Sequence, residues 1–385
     1  MFDDPDLAIQ WPPDLIVVEL DSVGEDRAEL ERLLDEIFVG DQILEKYLAG
    51  EWGPPRRRSY GESVGAELVQ VVRSAARSGS LREPKAKPPR WRQRTSGTDP
   101  VARPHKPLSA ALQKLLVELD GFGYFDSECH VPCVDDSYDE SVKPSLDIAV
   151  ADEFGEYIQL EFLPRSARFR TAEAQSLLEH ERGGSRKIVE LNNDEMYELI
   201  EIFHDLAARP RQARYHDYGA CGYHYARFSR GTGQRLYRWR VNRLLSAHGM
   251  DLEFAEGGEL EGRLVRATDS ARSELIELAA ASAPADELDE LEHAIRQFRH
   301  RRSSRQDKIS AIVTLAGLLE RHRELVKEHL DTKDEGALFE IANRFGLRHK
   351  NKAQQDDYHD DFLDWVFWWY LATVELTQRI RAREK

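Results

Sequence analysis

Cysteine, long apolar runs and net positive charge are the scarce features of this chain. Three cysteines, Cys129, Cys133 and Cys221, stand in 385 residues, which excludes a scaffold built on disulfides and fits a reducing setting. No uncharged apolar stretch approaches the roughly 18 residues a membrane-spanning helix requires. Between Met1 and Leu20 the sequence offers Asp3, Asp4 and Asp6 and no basic flank leading into an apolar run, so no secretory leader is expected and the expected location is the cytoplasm. Lys and Arg number 54 against 70 Asp and Glu, a net charge of -16. That balance excludes a protein that coats nucleic acid through overall positive potential, and it confines any anion-binding surface to a local patch.

What is present is enough apolar material for real cores: 41% hydrophobic residues beside 32% charged ones. A chain of this length exceeds what a single core usually fills, so several domains are expected in an α+β protein. Residues 1–80 read as a mainly helical segment. Leu30, Leu33, Leu34 and Ile37, then Val64, Leu68, Val71, Val72 and Ala75, recur at helical spacing. Residues 81–107 read as a basic, proline-rich linker, with a grip on phosphates around Trp91 as its sharper reading.

Residues 108–283 read as a small mixed α/β domain. A helix is expected at 108–119, strands at 146–150 and 157–162 joined by a turn at 152–155, a further strand at 187–191, and a helix capped by Asn193 or Asp194 running through Phe203. The segment 234–247 is a helix carrying Arg235, Arg238, Arg240 and Arg243 around Trp239, and a hairpin is expected at 252–265. A basic helix followed by a wing is a nucleic-acid-binding geometry, so a winged-helix-like part is expected near 234–266, with those four arginines as its contacts. Simple packing of the helix through Leu236, Trp239 and Leu244 is the plainer alternative.

Two metal readings arise in the same domain. Cys129, His130 and Cys133, joined by Cys221 and by His216 or His224, supply zinc-type donors, although the Cys129 to Cys133 spacing departs from the usual knuckle. Asp147 and Glu161 on neighbouring strands are the acids a magnesium-dependent nuclease would use, with Lys187 as its lysine. Buried or isolated thiols and outward-facing acids are the simpler explanations, and neither a metal nor another cofactor is expected.

Residues 284–385 read as four helices at about 286–300, 305–330, 335–345 and 360–383. The last contains Trp365, Phe367, Trp368, Trp369 and Tyr370 and is apolar on most sides, which points to burial in a bundle and to homodimerisation. Between the third and fourth helices lies Asn343-Arg344-Phe345-Gly346-Leu347-Arg348-His349-Lys350-Asn351. A bend at Gly346 would bring the Arg344 guanidinium and the His349 imidazole to one phosphate, the first binding it and the second moving protons.

The pair Arg344 and His349 at a helix junction, in a four-helix layout with an aromatic last helix, resembles the HEPN superfamily over about residues 286–385. The resemblance implies a four-helix bundle and a metal-independent endoribonuclease of a bacterial defence or toxin type. It also implies a composite dimeric site in which Arg344 and His349 are catalytic. Asn343, Arg348, Lys350 and Asn351 would position the RNA. The alternatives are a non-catalytic nucleic-acid-binding or dimerising regulatory protein, and the magnesium-dependent nuclease of the central domain.

Overall fold

The computed structural model describes residues 2–23, 27–52, 63–83, 107–129, 131, 133, 143–162, 164–167, 185–218, 221–329, 338, 340 and 359–384. It is α+β, with helical stretches towards both ends and a mixed region between them. The chain divides into two compact units, residues 1–250 and 251–385. The linker expected at 81–107, Trp91 included, lies almost wholly outside the described residues.

The first unit opens with helices α1 (Pro13–Ser22), α2 (Arg27–Ile37), α3 (Ile43–Ala49) and α4 (Ser63–Arg77). They bury Leu33, Leu34, Ile37, Leu68 and Val72 as the helical spacing anticipates, together with Leu15 and Ile16. Helix α5 (Leu108–Phe122) ends at Gly123, whose left-handed φ of 89° closes the last turn. The space beside Gly123 is filled by the Tyr225 ring, so a Cβ there would collide with it.

The segment expected as the first strand of a hairpin is instead helix α6 (Leu146–Phe154), capped by Gly155 at φ 83°. Leu146, Ile148 and Val150 satisfy a period of two, but Leu146, Ala149 and Val150 satisfy the helical period equally. The buried set is the second one. After it, β1 (Tyr157–Gln159) pairs in parallel with β2 (Ser185–Lys187), which a single 3-10 turn at Ile188–Glu190 terminates where the sequence suggested more strand. Helix α7 (Asn193–Leu206) starts one residue earlier than expected, with Asn192 as its cap. The Asn192 side chain accepts from the Glu195 N–H at 3.1 Å and the Glu195 carboxylate accepts from the Asn192 N–H at 2.8 Å.

An antiparallel hairpin then follows that the sequence did not announce: β3 (Arg209–His216) and β4 (Gly222–Ser229). Its root is tied to the first helices by ion pairs. Glu19 of α1 is fully buried and holds Arg209 at 2.9 Å, Thr232 at 2.9 Å and Arg211. Glu29 of α2 accepts the N–H of Gln212, which has a left-handed φ of 56°. Burial raises the Glu36 carboxyl above its ordinary range, and Arg209, Arg32 and the Tyr124 hydroxyl pull it back. The unit closes with α8 (Arg230–Ala247).

The second unit begins with hairpin β5 (Leu252–Phe254) and β6 (Leu264–Arg266), then α9 (Ser270–Ser282), α10 (Ala285–Arg299), α11 (Arg305–Arg321), α12 (Arg323–His329) and α13 (Asp360–Glu384). The boundary expected at 284 falls inside it, and the helix expected at 305–330 is broken at His322. The third helix expected at 335–345 lies mostly outside the described residues. Helix α13 packs on α9 and α11. Leu363, Val366, Phe367, Tyr370, Leu371 and Val374 recur at helical spacing and meet Leu291, Phe298, Ile312 and Leu315 in one core. The Phe298 and Phe367 rings stack at 3.7 Å, and the Tyr370 hydroxyl donates to the Leu338 carbonyl at 2.7 Å. No helix among the described residues is long and apolar enough to cross a membrane.

Candidate metal centre

The strongest gathering of chemistry-bearing side chains lies at the far end of the β3–β4 hairpin. Its register pairs Arg214 with His224, Tyr215 with Tyr223 and His216 with Gly222. Because side chains alternate along a strand and opposed residues share a face, His216 and His224 fall on one face as diagonal neighbours, with ring centroids 6.1 Å apart. Cys221 is buried at the turn into β4, and Cys133 comes in from a segment far earlier in the chain. The Cys133 Sγ is 3.3 Å from His216 Nδ1, and one donor atom from each of Cys133, His216, Cys221 and His224 lies within 4.8 Å of the other three.

Around a tetrahedral zinc, with Zn–S of about 2.3 Å and Zn–N of about 2.0–2.1 Å, ligand atoms stand about 3.3–3.8 Å apart. A spread of 4.8 Å closes to that by small side-chain rotations. Two thiols and two imidazoles are soft or borderline donors that suit zinc, whereas magnesium and calcium take oxygen ligands. The residues therefore fit a zinc-type ion, and four protein ligands make a closed set.

This cluster corrects the functional expectation. A metal-independent ribonuclease at the C-terminal helix junction is the sequence expectation, and the side chains the structure brings together are instead four donors in the central region able to chelate a metal ion. Arg344, His349, Asn343, Arg348, Lys350 and Asn351 lie outside the described residues. The central, metal-based alternative keeps its location and changes its ligands. Asp147 sits on helix α6, buried, where its carboxylate accepts from the Ser145 hydroxyl at 2.7 Å and the Tyr157 hydroxyl at 2.9 Å. Glu161 lies in the bend after β1. Neither acid belongs to the cluster.

The zinc reading of the sequence named all four ligands but centred them on Cys129 and His130. Cys129 is buried elsewhere, its thiol pushed up to about 12 by burial with Asp126 and Asp120 nearby, and His130 lies outside the described residues. The informative signal was the spacing of Cys221 and His224, with His216 across the turn.

The arginines of α8 have partners within the first unit. Arg240 makes a forked pair with Glu118 at 3.0 Å, and Arg238 lies 3.2 Å from His204 Nε2. Arg235 pairs with Asp14, and Arg243 pairs with Glu83 while lying over the Trp239 ring. Helix α8 belongs to the first unit and the β5–β6 hairpin to the second. No family model matches the sequence, and neither the curated proteins nor the solved structures provide a match.

Proposed function

We propose that the chain is a zinc-binding protein in which Cys133, His216, Cys221 and His224 hold one structural ion. The observation that carries this reading is the convergence of four zinc-type donors within 4.8 Å from segments distant in sequence. A closed set of this kind stabilises a fold that strand pairing alone does not secure: the ion would clamp the open end of the hairpin to the segment bearing Cys133. Thiolate ligands suit a reducing, cytoplasmic setting. Metal analysis of the purified full chain should give one zinc per molecule, and Cys221→Ser should carry little or none. Zinc content well below one, or unchanged by Cys221→Ser and His224→Ala, would sink the reading.

A second reading, metal-dependent hydrolysis of a phosphodiester, is favoured by the half-buried positions of Cys133, His216 and His224, which leave the centre near solvent. Release of Cys133 would leave three protein ligands and an open position, the arrangement of catalytic zinc. Cleavage of nucleic acid by the zinc-loaded chain, abolished by chelator and by His224→Ala, would establish it; a zinc-loaded chain that cleaves nothing leaves the structural role.

The C-terminal unit is assigned to self-association. Trp365 is 52% exposed and stacks on Trp369 at 5.4 Å beside Phe362. Acidic Asp360 and Asp361 begin the helix and Arg381 and Arg383 end it, so two antiparallel copies of α13 would oppose unlike charges. Sedimentation should report a dimer that Trp365→Glu dissociates; a monomeric wild type removes this assignment.

A further inference from the structure

The hairpin that supplies three of the metal ligands has a second face. Its register puts Tyr215 opposite Tyr223, Ala213 opposite Tyr225 and Arg211 opposite Arg227, all on the side away from His216 and His224. Tyr225 is used inward: its hydroxyl accepts from Arg165 at 3.3 Å, and the Arg32 guanidinium lies 4.8 Å from its ring. Beyond it the aromatic surface is open. Tyr215 is 60% exposed and Tyr223 40%, their rings meeting edge to face at 5.0 Å, and Tyr218 at the turn is 76% exposed. All the large exposed aromatic residues of the described part of the first unit are these three.

Their setting is cationic in an acidic protein. Residues 209–229 hold four arginines, Arg209, Arg211, Arg214 and Arg227, and one acid, Asp217, in a chain of net charge -16. Arg209 and Arg211 answer Glu19. Arg227, on the tyrosine face, is exposed and forms no ion pair with an acid among the described residues, while Arg214, also exposed, lies on the side of His216 and His224. Arg32, paired with Glu36 and lying over Tyr223 at 5.1 Å, adds a second guanidinium to the aromatic face. Solvated tyrosines gain little by standing in water, and self-association does not explain arginines interleaved with them. Flat rings beside the unpaired Arg227 guanidinium match a ligand that is itself flat rings on an anionic backbone.

We propose that this face of the β3–β4 hairpin binds single-stranded nucleic acid. Tyr215 and Tyr223 stack on unpaired bases, Tyr218 extends the platform at the turn, and Arg227 contacts phosphate. A duplex keeps its bases stacked on one another and offers the tyrosines nothing, so single strands are preferred. The inference rests on the zinc reading only for the rigidity of the hairpin, since the ion clamps the opposite face.

The test is fluorescence anisotropy of labelled single-stranded RNA, single-stranded DNA and duplex DNA with the full chain, zinc content being measured on the same samples. Either single strand should bind more tightly than the duplex. Tyr215→Ala and Tyr223→Ala should each weaken binding roughly tenfold or more at wild-type zinc content, while the phenylalanine variants retain most of it. Arg227→Ala should lower the slope of log affinity against log salt by about 0.7. The proposal is overturned if the zinc-loaded wild type binds no single strand, if duplex binds equally well, or if the two alanine variants together change nothing. A chain that carries no zinc yet binds single strands through these tyrosines would sink the metal reading and leave this surface standing.

Discussion

The first unit and the second are stabilised by different currencies of interaction, and the difference locates the chemistry. In the second unit, Phe298, Phe367, Leu315 and Tyr370 make one continuous apolar core, and buried charges such as Lys308 with Asp364 at 2.8 Å and Glu287 with His322 and Arg381 join helices of that same bundle. In the first, the hairpin is attached through Glu19, Glu29 and Arg165 to helices far away in sequence, and its open end converges on four metal-type donors. A core of the first kind is sustained by burial, which is non-directional. An attachment of the second kind is directional and fails when one partner is lost. The contrast teaches that function is to be sought where folding depends on placed polar groups.

Metal removal should split the two regions most sharply. Structural zinc contributes about 10–16 kcal/mol of apparent binding energy in small sites, comparable with the about 5–15 kcal/mol that holds a whole domain. Chelation of the zinc-loaded chain is therefore expected to raise amide hydrogen exchange across β3, β4 and the residues next to Cys133, while α10, α11 and α13 stay protected. Equal deprotection of both units, or of neither, would break the comparison.

The opposite perturbation is smaller and strikes the other unit. Phe298 is buried and stacked face to face on Phe367, so Phe298→Ala removes a ring from the centre of the bundle and should cost about 3–5 kcal/mol. Calorimetry should show the transition of the second unit falling while zinc content and hairpin protection are unchanged. A matching loss in the first unit would mean that the two are not independent.

How much of this was legible follows from the same contrast. Helix α10 was readable because Leu291, Ile295 and Phe298 declare their period within a few residues, whereas α13 is apolar on most sides and its buried stripe of Leu363, Val366, Phe367 and Tyr370 emerges only in the packed bundle. Helix α6 was misread because nine residues are too few to separate the two periods. The β3–β4 hairpin gave no signal, since Arg209–His216 shows no alternation of apolar and polar residues. What replaces the missing apolar face is Glu19 and Glu29, which only the tertiary fold brings near. Every metal ligand was visible as a residue type, yet the set was not, because cross-strand pairing rather than sequence spacing puts His216 beside His224.

The smallest effect expected is one of pH at the junction of β2 and α7. Glu195 accepts two bonds from the Arg186 guanidinium, at 3.0 and 2.7 Å, and one from the Asn192 N–H. These bonds hold its carboxyl down at about 2, against an ordinary 4.5, with the Arg186 bond the larger cause. A depressed folded-state value means that the ionised carboxylate favours the fold. Its contribution is complete above about pH 4.5 and is lost as pH falls towards about 2. Glu195→Gln should therefore flatten the acid limb of stability in that window by lowering stability at neutral pH towards the level the wild type reaches near pH 2, and leave the second unit unaltered. The site is solvated, so the change should be modest beside that of Phe298→Ala. Acid titration of the wild type and the variant, followed by circular dichroism, checks it, and identical acid limbs would show that the Arg186 bridge does not contribute to holding α7 on the sheet.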